Sequence, residues 1–178
     1  MSFPVYTLEV ERARPVRYEA RSSRRDPPRR ACVPRMRLPV FRVVLRRDRT
    51  IRVSRVRITN ASDAHEAAFA LLADRPFENM VVLLVSAAND LVGAVYIATS
   101  SAMSSTAVAT RGIFTAAIVH NAAAIILAHN HPSGDQRPSR EDIAMTERAR
   151  AAAEIMGIPI LDHLIVTRDP ERWGTVVC

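Results

Sequence analysis

The chain has 178 residues, of which 48% are hydrophobic, and a formal net charge of +7. This length allows one compact domain with a real core plus a tail. No apolar stretch approaches the roughly 18 residues that a membrane-spanning helix needs, and the N-terminus has no apolar segment typical of a secretory signal. The two cysteines, Cys32 and Cys178, lie near opposite ends and form no disulfide framework. We therefore expect a reduced, cytoplasmic protein without membrane contact.

Positive charge is concentrated at one end of the chain. Residues 1–57 contain 17 arginines and 5 acidic residues, a net charge of +12, whereas residues 58–178 contain 8 arginines and 13 acidic residues, a net charge of −5. The absence of lysine, together with abundant alanine, indicates a GC-rich coding bias. Arginine in a flexible segment predicts weak, sequence-independent contact with the phosphates of DNA or RNA. The alternative is a solvated tail that folds back on the acidic remainder.

The N-terminal third changes in character along its length. Residues 1–37 mix Arg, Pro, Ser and Glu without sustained periodicity, which predicts a mostly disordered arm. A folded domain is predicted over residues 38–178. PVFRVVL and IRVSRVRI are rich in β-forming residues, and RRDRT between them predicts a hairpin. Residues 60–62 then resemble the cap of a helix over DAHEAAFALLAD, which Pro76 ends.

The rest of the chain alternates strands and helices. MVVLLVSA and LVGAVYIAT predict strands, and SSAMSSTAVAT predicts a loop. A helix over GIFTAAIVHNA places four apolar residues on one face: Ile113, Phe114, Ala117 and Ile118. AAIILAHNH predicts a buried strand, SREDIAMTERARAAAEIM a helix that Gly157 ends, and IPILDHLIVT a last strand. This order predicts an α/β fold with helices packed on a central sheet.

Two histidines lie at the end of the predicted buried strand. Because side chains alternate along a strand, His129 and His131 point to one face and Asn130 points to the other. Pro132 removes a ladder donor, so the strand should end there, with both imidazoles at its carboxyl edge.

Asp142 lies one turn into the following helix. Helical spacing places it on the inward face, together with Met145, Ala149, Ala152 and Met156. Two imidazoles and one carboxylate around an open fourth position are the ligand set of a catalytic zinc site. Each part also has an explanation without metal, because Ser139 and Asp142 could form a capping box and the histidines could be satisfied polar residues beside a turn. Their convergence at one edge favours the metal site.

The spacing His129-x-His131, seven residues, Ser139, two residues, Asp142 matches the JAMM (MPN-type) metalloprotease motif at every defining position. The segment from residue 121 to residue 167 closely resembles the RadC-like branch of that superfamily, and the similarity extends from about Leu38 to the C-terminus. The resemblance implies an MPN (JAMM, cytidine-deaminase-like) fold with a mixed central sheet. It also implies a hydrolase that cleaves a peptide or isopeptide bond in a peptide or protein substrate.

The same resemblance assigns roles to individual residues. His129, His131 and Asp142 are implied to hold one Zn²⁺ per chain, and Ser139 to supply a hydroxyl that stabilises the tetrahedral oxyanion. Glu78, just before MVVLLV, is implied to be the general base. The alternative for Glu78 is a solvated carboxylate at a strand entry. For the whole protein, the alternative is a DNA-associated accessory protein, in DNA repair or on a mobile element, with a structural or vestigial metal.

Other polar and aromatic residues receive structural interpretations. His163 in LDHLIV is interpreted as a buried histidine that packs beside the site and is not a fourth ligand. His65 and His120 lie on predicted helices, Trp173 is expected to anchor the C-terminal segment, and Cys178 is a poor candidate for a nucleophile. The sequence departs from RadC-like chains at residues 101–105 and 110–112, where substrate contacts or loop geometry could differ.

Overall fold

The structure is a computed structural model that describes residues 2–12, 41–54, 56–97 and 106–177. Its centre is a mixed sheet with these strands: β1 Ser2–Arg12, β2 Phe41–Arg52, β3 Met80–Val85, β4 Leu91–Ile97, β5 Ala124–Asn130, β6 Ile160–Val166 and β7 Trp173–Thr175. The helices are α1 Ala61–Leu72, α2 Thr106–His120 and α3 Arg140–Met156. The strand order is β2-β1-β4-β3-β5-β6-β7. The predicted α/β fold, with a mixed central sheet flanked by helices, is confirmed.

Two buried clusters cover the two faces of the sheet. Along β3, Val81 and Leu83 pack toward α1, whereas Val82 and Leu84 pack toward α2 and α3. This explains why MVVLLV is an unbroken apolar run, since both faces of a central strand are covered by helices. In the described ranges, no helix is long and apolar enough to cross a membrane.

The central position of β5 brings distant parts of the chain to one edge. β5 pairs antiparallel with β3 and parallel with β6, so that His129 lies opposite both Met80 and Ile165. The carboxyl end of β5 therefore meets the start of β3, and the residue two positions before Met80 is Glu78. The next element after β5 is α3, which begins beside the same edge and ends, as predicted, at Gly157, whose φ of 65° is a left-handed conformation that glycine adopts readily.

The prediction of a disordered arm is wrong for its first part. Ser2–Arg12 is a strand between β2 and β4, with Val5 paired to Ala94 and fully buried in the core. The alternation of apolar residues was too short and too mixed with charge to be recognised locally, and the strand is held by partners far along the chain. Residues 13–40, with Cys32, lie outside the described residues, and the domain boundary at residue 38 stays a prediction.

The predicted hairpin at RRDRT is also wrong, because β2 runs through this segment. Its antiparallel partner is β1, and Asp48 is the extra residue of a bulge at which Val5 pairs with Arg49 and Tyr6 with Arg47. The segment contains no Gly or Asn that would favour a two-residue turn, and a bulge accommodates the irregularity instead.

Smaller differences affect the helices. α2 begins at Thr106, inside the predicted loop SSAMSSTAVAT, and residues 98–105 lie outside the described residues. Ile118 is 52% exposed, although the predicted apolar face included it, and Ala116 is buried instead. On α3, Met156 is likewise exposed near the helix end, whereas Asp142, Met145 and Ala149 are buried as predicted. The short strand β7 was not predicted.

Candidate metal centre

Four side chains converge at the carboxyl edge of β5. Glu78, His129, His131 and Asp142 each offer one ligand atom, and these atoms all lie within 4.8 Å of one another. The Nε2 atoms of the two histidines are 2.9 Å apart. Asp142 Oδ1 is 3.2 Å from His129 Nε2, and Asp142 Oδ2 is 3.5 Å from His131 Nε2. The sequence prediction that these residues meet is confirmed.

The Asp142 carboxylate is held by a capping box while it faces the histidines. Its Oδ2 accepts hydrogen bonds from the Ser139 backbone N–H at 2.8 Å and from Ser139 Oγ at 2.6 Å. In return, the Asp142 N–H donates to Ser139 Oγ at 3.1 Å. The capping box is therefore present, but it does not compete with the metal site, because it fixes the carboxylate with Oδ1 directed at His129.

Charge and hydrogen bonding set the protonation state of Asp142. Burial acts to raise the pKa of its carboxyl group, but the opposing effects of His129 and of the hydrogen bonds from Ser139 hold this pKa below its ordinary value. The group is therefore present as an anion, which is the form that binds a cation.

A chain of hydrogen bonds assigns the proton on His129. Thr146 Oγ1 donates its only proton to the Asp142 carbonyl oxygen at 2.6 Å, so it must accept from His163 Nδ1, also at 2.6 Å. Burial lowers the pKa of His163 to about 3 and keeps this ring neutral. With its proton on Nδ1, His163 accepts at Nε2 from His129 Nδ1 at 2.8 Å. His129 Nδ1 therefore carries a proton, which leaves Nε2 as the atom that would supply a lone pair to a bound metal.

His131 also carries a proton on Nδ1, but its hydrogen-bond partner is a backbone carbonyl. Its Nδ1 lies 2.7 Å from the carbonyl oxygen of Asp135, which can only accept, so Nδ1 carries the proton. Two Nε2 atoms and an anionic carboxylate thus face one point, and their electron pairs repel one another unless a proton or a metal cation lies between them. Two imidazoles and one carboxylate suit a divalent ion such as zinc. The donor set fits a metal.

An open cavity of about 620 Å³ lies over the solvent side of this group. Its lining includes Glu78, His131, Asp135, Arg137 and Ser139. Arg137 Nε and Nη2 bond the Asp135 carboxylate at 3.0 and 2.8 Å, and these bonds lower the pKa of Asp135. The cavity therefore gives access to the metal centre from the side of Glu78 and His131.

The loop that carries this lining rests on the last strand. A Cβ atom at Gly174 of β7 would collide with the carbonyl oxygen of Gln136, so the two backbones approach more closely than any side chain allows. Trp173 stacks on His65 of α1 with ring centroids 4.8 Å apart and an interplanar angle of 15°. The predicted anchoring role of Trp173 is confirmed.

Comparison with known families identifies the fold. Residues 58–172 match the RadC-like JAB domain. The chain belongs to the RadC-like JAB family. A relative named UPF0758 protein from Salinibacter ruber is 41% identical over 112 residues, which cover 63% of this chain and 48% of that protein. Another UPF0758 protein, from Pelobacter propionicus, is 45% identical over 89 residues, covering 50% of this chain and 38% of the relative.

A third UPF0758 protein, from Geobacter sulfurreducens, is 42% identical over 93 residues, which cover 52% of this chain and 40% of that protein. This RadC-like chain therefore spans about half the length, or less, of the curated relatives named here. The similarity shows the JAB domain, and the names of these relatives state no activity.

The other histidines singled out in the sequence lie outside the group of four ligand residues. His163 is fully buried and contacts His129, as predicted. His65 and His120 lie on α1 and α2. Cys178 and residues 101–105 lie outside the described residues, and the described lining of the cavity does not include Arg111 or Gly112.

Three polar contacts of the site were missed by sequence reasoning. Thr146 follows Asp142 by one helical turn, a spacing that could have indicated it. The Asp135 carbonyl is a backbone group in a loop, for which sequence gives no signal. Asn130 was placed on the opposite face from the ligands, but its partners were not identified.

Proposed function

We propose that this protein is a zinc-dependent hydrolase of the JAMM type that cleaves a peptide or isopeptide bond. The observation that carries the proposal is the convergence of two imidazole nitrogens and one carboxylate beside the accessible carboxylate of Glu78. Membership of the RadC-like JAB family supports it.

His129, His131 and Asp142 would hold one zinc ion. Bound zinc supplies Lewis-acid chemistry, in that it polarises a carbonyl group and lowers the pKa of water toward about 7. Glu78, exposed at the cavity wall, takes a proton from the attacking water. It returns this proton to the leaving nitrogen as the C–N bond breaks, which yields a carboxylic acid and an amine.

Ser139 would donate to the oxyanion, as in related sites. Its hydroxyl proton is given to Asp142 Oδ2 in the structure, so the hydroxyl must turn toward the cavity to serve the substrate. The bond from the Ser139 backbone N–H to Oδ2 would then keep the carboxylate in place.

The decisive experiment substitutes the base and keeps the ligands. Glu78→Gln preserves shape and removes the basic carboxylate, so zinc content should stay near one per chain while hydrolysis of linear and isopeptide substrates falls by about 10²–10⁴-fold. Glu147→Gln, an exposed site on α3, is the control for loss of one negative charge. Unchanged turnover in Glu78→Gln would remove this residue from the mechanism. No turnover by the zinc-loaded wild type would remove the hydrolase.

A second candidate is association with nucleic acid, with the metal in a structural role. It is favoured by a row of exposed arginines on the edge strand β2, namely Arg46, Arg47, Arg49 and Arg52. Guanidinium groups spaced along an edge can contact successive phosphates, and such contacts weaken steeply as salt rises.

The test of this candidate cannot simply delete residues 1–37, because that would remove β1 from between β2 and β4. The double variant Arg47→Gln/Arg52→Gln keeps the sheet and should flatten the slope of log affinity against log salt by about 2 for labelled duplex DNA. Arg148→Gln/Arg168→Gln, which changes two exposed arginines elsewhere, is the matched control. Equal slopes in both variants would exclude β2 as the contact.

A further inference from the structure

Asn130 lies between the two histidine ligands and has no part in the chemistry proposed above. Its side chain points to the opposite face of β5 from His129 and His131, and it is only 2% exposed. A buried amide offers two donors and one acceptor oxygen, and each of these groups needs a partner.

All of its side-chain partners belong to the segment around Glu78. Asn130 Oδ1 accepts from the Asn79 N–H at 2.8 Å. Asn130 Nδ2 donates to the carbonyl oxygens of Phe77 at 3.1 Å and Arg75 at 3.3 Å. The orientation of the amide is unambiguous, because a backbone N–H can only donate and a carbonyl can only accept.

The segment that receives these bonds lies at the surface. Pro76, Phe77 and Glu78 are exposed, and the segment belongs to no helix or strand. Its other contacts include the Asn130 backbone N–H bond to Asn79 O at 3.2 Å and the Asn79 Nδ2 bond to Phe77 O at 2.7 Å. The Arg75 guanidinium lies on Tyr96, with Nη2 3.1 Å from the hydroxyl. A connecting segment of this kind samples many conformations unless its backbone is bonded to a rigid element.

We propose that Asn130 is a positioning residue that holds the backbone on both sides of Glu78 and thereby fixes the Glu78 carboxylate relative to the metal ligands. The inference rests on the proposed function of the same site. The end of β5 then has two roles. His129 and His131 direct their side chains to the metal site on one face, and Asn130 holds the segment around Glu78 from the opposite face. The competing explanation is that Asn130 only satisfies buried polar groups and stabilises the fold.

The first measurement needs no hydrolysis. Amide hydrogen exchange of the wild type should show the Asn79 N–H protected far beyond the level of an exposed loop, because its acceptor is buried. In Asn130→Ala this amide should exchange about 10-fold faster or more, with zinc content unchanged. Fast exchange at Asn79 in the wild type would overturn the proposal, even if the variant does not fold.

The second measurement separates positioning from stability. Asn130→Ala should lower kcat by about 10²-fold with little change in KM, because the Glu78 carboxylate would no longer be held at the correct distance from the attacking water. In a Glu78→Gln background the same substitution should cost nothing further, since there is no base left to position. A merely stabilising role would give the same loss in both backgrounds.

Asn60→Ala is the control for lost stability. Asn60 caps α1 by accepting from the Asp63 N–H, far from the metal ligands along the chain, and its removal should lower stability without changing kcat. If the zinc-loaded wild type hydrolyses nothing, the proposed function fails. The exchange of the Asn79 amide then still decides whether Asn130 holds this segment.

Discussion

His129 and His131 are two residues apart, yet they are held in different ways. His129 is 1% exposed, and its proton is assigned by two buried side chains, His163 and Thr146. The His131 side chain is 14% exposed, and its proton is assigned by a backbone carbonyl in the loop after β5. The centre thus has an inner half, built from core side chains, and an outer half, built from loops at the cavity. The inner half fixes the His129 ring, whereas the outer half faces the open cavity.

The largest effect is expected where the two halves meet, at Asp142. Asp142→Ala removes the carboxylate that lies 3.2 Å from His129 and 3.5 Å from His131, so purified protein should lose most of its zinc and its hydrolytic activity, as should His131→Ala. Elemental analysis of the purified variants measures this. Asp63→Ala is the matched control, because its carboxylate also accepts from a backbone N–H at a helix start but faces no histidine pair. A fully loaded Asp142→Ala would leave the carboxylate with a capping role alone.

The outer half is tested at Ser139. Ser139→Ala should retain zinc and lose roughly 10²-fold in kcat if its hydroxyl serves the oxyanion. It should also cost about 1 kcal/mol of stability through the lost cap, whereas Ser139→Gly should cost only a few tenths. Equal losses of kcat in the two variants, measured beside thermal unfolding, would assign the effect to the hydroxyl. A kcat that follows stability would assign it to the cap.

The inner half is tested at Thr146, where the smallest change in activity is expected. Thr146→Val keeps the shape and leaves His163 Nδ1–H without its acceptor, so zinc affinity should fall about 10- to 100-fold while a saturated enzyme keeps most of its kcat. Competition with a chelator measures the affinity. Thr115→Val removes a similar hydroxyl bond to the carbonyl one turn earlier on α2, and its affinity should equal that of the wild type. Unchanged affinity in Thr146→Val would show that the rest of the core suffices to orient His129.

The ligands could be predicted from the sequence because their placement depends on local periodicity. Strand alternation places His129 and His131 together, and one turn of helix places Asp142 on the inward face. Glu78 was assigned through resemblance to a family, because no local pattern relates it to His129, which lies far along the chain. The strand β1 was not predicted for the same reason, because it is held by pairing with β2 and β4, which are distant in sequence, and its local pattern does not indicate a strand.

The contact between Gly174 and Gln136 has a consequence for how this domain is delimited. The match to the RadC-like JAB domain ends at residue 172, whereas β7 begins at Trp173. A chain truncated after residue 172 would keep all the proposed ligands but would lose β7, whose Gly174 packs against Gln136 in the loop 132–138. The Asp135 carbonyl in this loop orients His131. The residues of β7, which have no proposed role in the chemistry, would therefore affect how rigidly His131 is oriented. The part of the domain that supports the site extends beyond the matched residues.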